Sequence, residues 1–450
     1  MNTNMSKLKT LTYPQMIALG YLVVILIGTA LLALPVSSRS HISPGLVDAL
    51  FTATSATCVT GLVVFDTYTQ WTPFGQLVIL SLIQVGGLGF MTIITMFSFL
   101  LRRKIGLRER GLLRESVNTM YIGGIVRLTK KILIGTLFFE GLGAILLSAR
   151  FIPRMGLAAG LYNGIFHSVS AFCNAGFDLM GKYGEYSSLT AFYNDAVVCL
   201  TVIMLIVTGG IGFFVWDDIL KNKYHFRKYQ LHTKLAIVTT VFLIISGAAG
   251  FYAFERGNLQ AGMNAGERIL VSLFASVTPR TAGYNTLDVA ALTPASKLLT
   301  MVLMFIGGSP GSTAGGIKTT TLAVILISLW SSLVNAKSEK VFDRRLEENA
   351  LKRASAVTTV NLLLTLGAVF LICGTNTSLS LTDVFFEVLS AIGTVGLSTG
   401  ITGTLNAFAQ IVIILLMYSG RVGSLTFALL FVEHRMSSTI QSPVEKINIG

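Results

Sequence analysis

The chemistry legible in this chain belongs to backbone carbonyls more than to side chains. Gly61, Gly176, Gly283 and Gly396 recur 115, 107 and 113 residues apart. Three of them close one pattern: Asp48–Phe51–Ser55–Ala56–Gly61, Asn163–Phe166–Ser170–Ala171–Gly176 and Asp383–Phe386–Ser390–Ala391–Gly396 share the offsets 0, 3, 7, 8 and 13. A fourth copy, running from Phe274 to Gly283, keeps the glycine but slips by a residue upstream. Glycine lacks a Cβ and takes up left-handed backbone at little steric cost. Four such turns, one per quarter of the chain, let four strands aim carbonyls at a common axis, where they can replace a cation's hydration shell. Tight connecting turns are the plainer reading; recurrence at the same place in every unit weighs against it.

The elements that must position those strands follow from hydropathy. Of 450 residues, 52% are hydrophobic and 12% charged, about half the charged share of a soluble domain. Pro14–Pro35 carries no charge, and Thr72–Leu101, Asp195–Val215 and Leu351–Gly374 are nearly as apolar. Such runs reach the roughly 20 residues that cross a bilayer core. The first is too long for the core of a secretory signal and is assigned as a span. Each unit of about 110 residues reads as a long apolar helix, a segment too short to span, the glycine, and a second long helix. The short segments (47–57, 162–172, 268–278, 382–392) are about 11 residues, ~16 Å as helix, and must re-enter. Asp48, Asn163 and Asp383 are expected as their N-caps, which points the partly negative helix ends into the membrane. Irregular backbone at that depth is tolerated where it lines a water-filled path or is buried in protein. The expected fold is an all-α polytopic membrane protein: four pseudo-symmetric helix–pore-loop–helix repeats around one central pore, with eight spans and four re-entrant pore helices. The repeats are placed at 13–115, 116–225, 226–336 and 337–450, the last with a cytoplasmic tail.

Charge placement orients the chain. Loops on the side of the N-terminus (1–13, 102–131, 217–234, 337–353, 433–450) hold 24 Lys/Arg against 10 Asp/Glu; the opposite side holds 8 against 10. This is the positive-inside pattern. It puts both termini in the cytoplasm and argues against the net charge of +13 serving nucleic acid. Cys58, Cys173, Cys199 and Cys373 lie in or beside apolar segments in no metal-ligand spacing and read as small buried residues.

Glycine also interrupts the second helices, at Gly86-Gly87-Leu88-Gly89 and Gly209-Gly210-Ile211-Gly212, either as breaks or as close-packing sites. The third, at 307–316, cannot stay helical, because Pro costs ~3 and each Gly ~1 kcal/mol in a helix interior. It reads as an unwound segment below the glycines. Gly311…Gly316-Ile317-Lys318-Thr319 imitates a phosphate-binding loop, but Ile317 is inserted before the lysine and an apolar helix precedes the loop where a strand should. Arg421 sits in an apolar span, where its cost of at least ~2.5 kcal/mol marks it for function. It follows Gly396 by 25 residues, as Gly86 follows Gly61, so it is expected level with the Gly86 cluster, paired with loop carbonyls or a carboxylate. Glu140, also in a span, is expected to be paired or hydrogen-bonded within the first helix of repeat two and not to ligate an ion.

These segments resemble the Trk/Ktr/HKT superfamily of potassium transporters over essentially the whole chain. The matching residues are Thr54-Ser55-Ala56-Thr57-Cys58-Val59-Thr60-Gly61-Leu62, Ala171–Phe177, Pro279–Tyr284 and Ile392–Leu397. The resemblance implies a selectivity filter of Thr57, Cys58, Val59, Thr60 and Gly61; Cys173, Asn174, Ala175 and Gly176; Arg280, Thr281, Ala282 and Gly283; and Gly393, Thr394, Val395 and Gly396, with K+ at carbonyls around the glycines. Gly61, where some sodium-conducting members carry serine, favours potassium. It further implies a gate of Gly307, Gly308, Ser309, Pro310, Gly311, Ser312, Thr313, Ala314, Gly315, Gly316 and Lys318, with Arg421 facing the pore. Within the superfamily the chain is most similar to the Ktr membrane subunits. A first repeat beginning at Tyr13 and the lack of an appended soluble domain fit that type. By resemblance it is a homodimer in membrane lipid, regulated by a separate cytosolic nucleotide-binding ring of the KtrA type, with K+ as transported ion, Na+ dependence open and no organic cofactor. Na+ permeation or Na+/K+ symport on the same fold is the alternative. A proton-coupled carrier should show more mid-membrane carboxylates or histidines than Glu140 and the nearby His167. An enzyme would need a nucleophile or metal cluster that the spacing does not supply, and the lack of Thr-Val-Gly-Tyr-Gly separates the chain from ordinary tetrameric channels.

Overall fold

The structure, a computed structural model, describes residues 12–101, 106–117, 124–223, 225–336, 338–424 and 427. The expected tail at 433–450, the basic residues Lys7 and Lys9, and Arg102, Arg103, Lys104 and Lys337 lie outside the described residues.

The first quarter contains α1 (Tyr13–Leu32), α2 (Leu46–Thr57), α3 (Pro73–Leu88), α4 (Phe90–Leu100) and α5 (Leu107–Val117). The second contains α6 (Ile125–Met155), α7 (Leu157–Phe172), α8 (Ala196–Gly210) and α9 (Phe213–Asn222). The third has α10 (Leu231–Glu255), α11 (Ala265–Val277), α12 (Pro294–Phe305) and α13 (Thr319–Leu333). A two-stranded hairpin, β1 (Lys340–Val341) with β2 (Arg344–Arg345), leads into α14 (Ala350–Thr375), α15 (Leu381–Gly393) and α16 (Ala407–Val422).

Each quarter opens with a helix long and apolar enough to cross a membrane: α1, α6, α10 and α14. Protein covers only about a third of each span or less (33, 33, 33 and 28%). What remains bare is large and apolar, with Leu137, Ile145, Ile245 and Phe370 64–80% exposed. A soluble chain does not leave such a belt in water; these faces belong against hydrocarbon.

The short helices α2, α7, α11 and α15 re-enter and form the middle of the molecule. Their shared phenylalanines, Phe51, Phe166, Phe274 and Phe386, are fully buried. The N-cap expectation is corrected. Gly45, Gly156, Asn264 and Ser380 occupy the caps. Asp48 and Asp383 sit in the first turn, where a carboxylate still meets the positive helix end. Asn163 is mid-helix, its amide bonded to the Ala159 carbonyl at 2.9 Å, because α7 begins five residues before the expected 162.

The second helices are shorter than expected. α3, α8, α12 and α16 have 16, 15, 12 and 16 residues, against the roughly 20 a span needs. The chain breaks at Gly89 (φ 82°), turns by 93° between α8 and α9, and unwinds after α12. Both readings of the glycine clusters hold. Gly86 and Gly209 seat against the Thr57 and Phe172 carbonyls at the ends of α2 and α7, leaving no room for a side chain, while Gly89 and Gly212 carry the break.

Candidate functional site: a glycine ring and the loop beneath it

From each re-entrant helix the chain turns back through a few extended residues whose geometry repeats in all four quarters. The residue two before the glycine takes positive φ each time: Val59 57°, Asn174 59°, Thr281 71° and Thr394 50°. The glycine follows with 89°, 71°, 80° and 91°. Left-handed backbone at a β-branched residue is strained, and it appears here at Val59, Thr281 and Thr394. Strain at one repeated position marks a functional constraint.

Hydrogen bonds to the end of the preceding helix hold the strands. The Thr60, Ala175 and Val395 amides donate to the Ser55, Ser170 and Ser390 carbonyls, each at 2.8 Å. The Ser55 and Ser390 hydroxyls accept from the Gly61 and Gly396 amides at 3.0 and 3.1 Å. In the third quarter Ala282 donates to Thr278 at 2.9 Å, four residues back instead of five. Phe274 precedes Thr278 by four residues, as Phe51 precedes Ser55. The slipped third copy is therefore one residue shorter between helix and glycine.

The four strands close into a ring. A methyl added at Gly176 would stand 2.7 Å from the Ala282 carbonyl oxygen, and one at Gly283 2.5 Å from that of Val395. At Gly61 and Gly396 it would overlap the carbonyls of Ala175 and Thr60 more closely still. Each glycine thus lies against the carbonyl of the next quarter, in the order one, two, three, four and back to one. The hydroxyls of Thr57, Thr60 and Thr394 are buried here without a hydrogen-bond partner among the described residues, a costly condition that a cation on the axis would relieve.

Several side chains expected at the site turn away from it. The Arg280 guanidinium is buried behind its strand and donates to Thr240 of α10 at 3.2 Å. The Cys173 thiol faces Gln84 of α3 at 3.5 Å and the Glu140 carboxylate at 3.9 Å. Glu140 also accepts from Gln84 at 3.2 Å, so it is hydrogen-bonded as expected, but to a neighbouring quarter and not within its own helix. The Asn174 amide bonds the Thr281 hydroxyl at 3.2 Å in either orientation, tying strands two and three. These positions offer the pathway backbone alone.

Beneath the ring, residues 306–318 form an irregular loop. Gly307 donates to Ile317 at 2.8 Å, and Ser309 and Thr313 donate to Gly210 and Gly209 at 2.9 and 3.2 Å. The Thr313 hydroxyl reaches the Phe172 carbonyl at 3.2 Å. Lys318 turns back on the loop, donating to Ala314 at 2.7 Å and Gly315 at 3.2 Å. Arg421 bridges loop and helix: it donates to the Thr313 carbonyl, to Gly86, and to Gly87 at 2.9 Å. Gly420 beside it seats on the Ile392 carbonyl, as Gly86 seats on Thr57. Of the two partners expected for Arg421, the loop carbonyl of Thr313 holds it, with the helix carbonyls of Gly86 and Gly87; among the described residues no carboxylate pairs with it.

A cavity of about 440 Å³ opens on one side of the ring, lined by all four glycines with Asp66, Asp178 and Asp288. A second, of about 240 Å³, lies on the loop side against Gly311, Lys318 and Arg421. Sequence reasoning missed the three carboxylates: Asp66 and Asp288 each follow their glycine by five residues, but Asp178 follows by two and the fourth quarter has none at either place, so the repeat is only partial.

Four strands closing on one axis between two cavities, inside a shell of membrane-length helices, define a polytopic pore protein. The TrkH family, described as cation transport protein, matches residues 7–441, and the chain belongs to it. The potassium/sodium uptake protein NtpJ of Enterococcus hirae is 42% identical over 98% of both chains. The Ktr system potassium uptake protein B of Bacillus subtilis is 40% identical over 95% of this chain and 94% of its own. The crystal structure of the potassium transporter TrkH from Vibrio parahaemolyticus superposes with a TM-score of 0.70 at 18% identity, covering 92% of this chain and 84% of that one. It shares the fold.

Proposed function

We propose that this chain is the pore-forming subunit of a Ktr-type system and carries K+ into the cell through the glycine ring. The closed ring carries the reading: each glycine admits the neighbouring carbonyl because it has no Cβ. Carbonyls so placed can replace a potassium ion's hydration shell. The filter comprises residues 57–61, 173–176, 280–283 and 393–396; the gate comprises 307–316 with Lys318 and Arg421. The four repeats run 13–115, 116–225, 226–336 and 337–450. The basic loops and both termini face the cytoplasm, which makes the three-carboxylate cavity the outer mouth.

Relatives named as one component of a Ktr system support partners: a second copy of the chain, and a cytosolic nucleotide-binding ring docking on the basic face. No role in nucleic acid binding and no catalysis is assigned. Na+ permeation or Na+/K+ symport is the second reading, favoured by the potassium/sodium uptake name of one relative. The test is Gly61→Ser, which adds a side chain where the Ala175 carbonyl stands. Growth at low potassium and the K+/Na+ flux ratio should both fall. Unchanged growth and ratio, in protein that inserts normally, would remove Gly61 from the filter.

A further inference from the structure

The strand beyond each glycine must be held in place if the ring is to keep its size, and the quarters do this differently. One residue after the shared phenylalanine, each re-entrant helix presents a different side chain: Thr52, His167, Ala275 and Glu387. In quarter one the Thr52 hydroxyl turns to its own helix at 3.0 Å. The strand is held across the seam instead, where the Tyr186 hydroxyl donates to Val64 at 3.0 Å and Asp66 accepts from the Tyr186 amide at 3.1 Å. In quarter two His167 accepts from the Leu179 amide at 3.4 Å. In quarter three Ala275 offers nothing, and the Tyr284 hydroxyl crosses to the Phe177 carbonyl at 2.9 Å.

Quarter four has no such seam. Among the described residues no hydrogen bond joins 397–404 to another quarter. The segment is held by Glu387, which accepts from the Ser398 hydroxyl at 2.7 Å and from the Thr402 hydroxyl. Glu387 is 1% exposed, and among the described residues no basic side chain lies within ion-pair distance of it. A buried carboxylate without a cation is costly, and its two hydroxyl partners both line the cavity over the ring.

We infer that Glu387 is the positioning residue that sets ion discrimination in the fourth quarter, by fixing the strand after Gly396 through Ser398 and Thr402. The inference rests on the reading of the ring as a potassium filter. The test is K+ and Na+ flux in liposomes containing the full chain as wild type, Glu387→Gln and the double variant Ser398→Ala/Thr402→Val. The double variant leaves the carboxylate and removes only its partners. Both variants should lose about tenfold in K+/Na+ ratio, the factor that one hydrogen bond to a charged group controls. A merely structural role would lower both fluxes together and leave the ratio alone, so an unchanged ratio in either variant overturns the inference. A wild-type chain passing both ions equally would instead refute the filter reading, and the inference with it.

Discussion

Replacing Arg421 with alanine tests whether the loop is a gate. The guanidinium donates to three carbonyls, those of Thr313, Gly86 and Gly87, joining the loop to the end of α3. Hydrogen bonds to a charged group contribute about 1.5–3 kcal/mol each, but a displaced guanidinium would regain water in the adjoining cavity. Counting a net of only one bond, about 2.8 kcal/mol, the closed state loses a factor of about 100 relative to the open one. Removing a fixed positive charge from the path of a cation acts in the same direction. Arg421→Ala should therefore raise K+ flux into liposomes by one to two orders of magnitude. Arg421→Lys, which keeps the charge but cannot fork between loop and helix, should lie between. The K+/Na+ ratio should hardly move, since the glycine ring is untouched. Flux at or below the wild-type level, from protein that elutes as a folded species, would refute the reasoning and make the bridge structural.

Deleting Gly311–Gly315 removes the Thr313 contacts and should also raise flux with selectivity largely kept; a collapse of the ratio in the same liposomes would place the loop in the filter. At the outer mouth, burial raises the Asp178 carboxyl to about 7, with the Met180 amide opposing and neighbouring Asp66 adding to the rise. Its charge is present above that pH and lost below, so K+ uptake at low concentration should decline as external pH falls through about 7, and Asp178→Asn should flatten this limb of the profile. Adenine nucleotides should change flux only when a cytosolic nucleotide-binding partner is bound, because a ligand gates through its differential affinity for two states; a response from liposomes holding this chain alone would oppose the partner proposal.

Much of the fold was legible because it repeats. Offsets of 0, 3, 7, 8 and 13 located three re-entrant helices, and the long uncharged runs located the spans. Counting 25 residues from Gly61 and from Gly396 set Arg421 level with the Gly86 cluster, where the structure has it; its role remains the proposal above. The slipped third copy became intelligible only when Thr278 was seen in the place of Ser55. What was hidden depends on contacts distant in sequence or unequal between quarters. The partners of Glu387 lie 11 and 15 residues on; the matching His167 in repeat two meets a backbone amide instead, and Thr52 and Ala275 make no such contact with their strands. The caps misled because Asp48 and Asp383 suit a first turn as well as a cap, and α7 starts a turn and more earlier than its neighbours.

The claim that matters most is that the ring binds K+. Crystals or particles of the full chain prepared in Rb+, which scatters anomalously, should show the ion on the axis among the carbonyls of Thr60, Ala175, Ala282 and Val395, and excess Na+ should not displace it. An empty ring in Rb+, with density confined to the two cavities, would contradict the account.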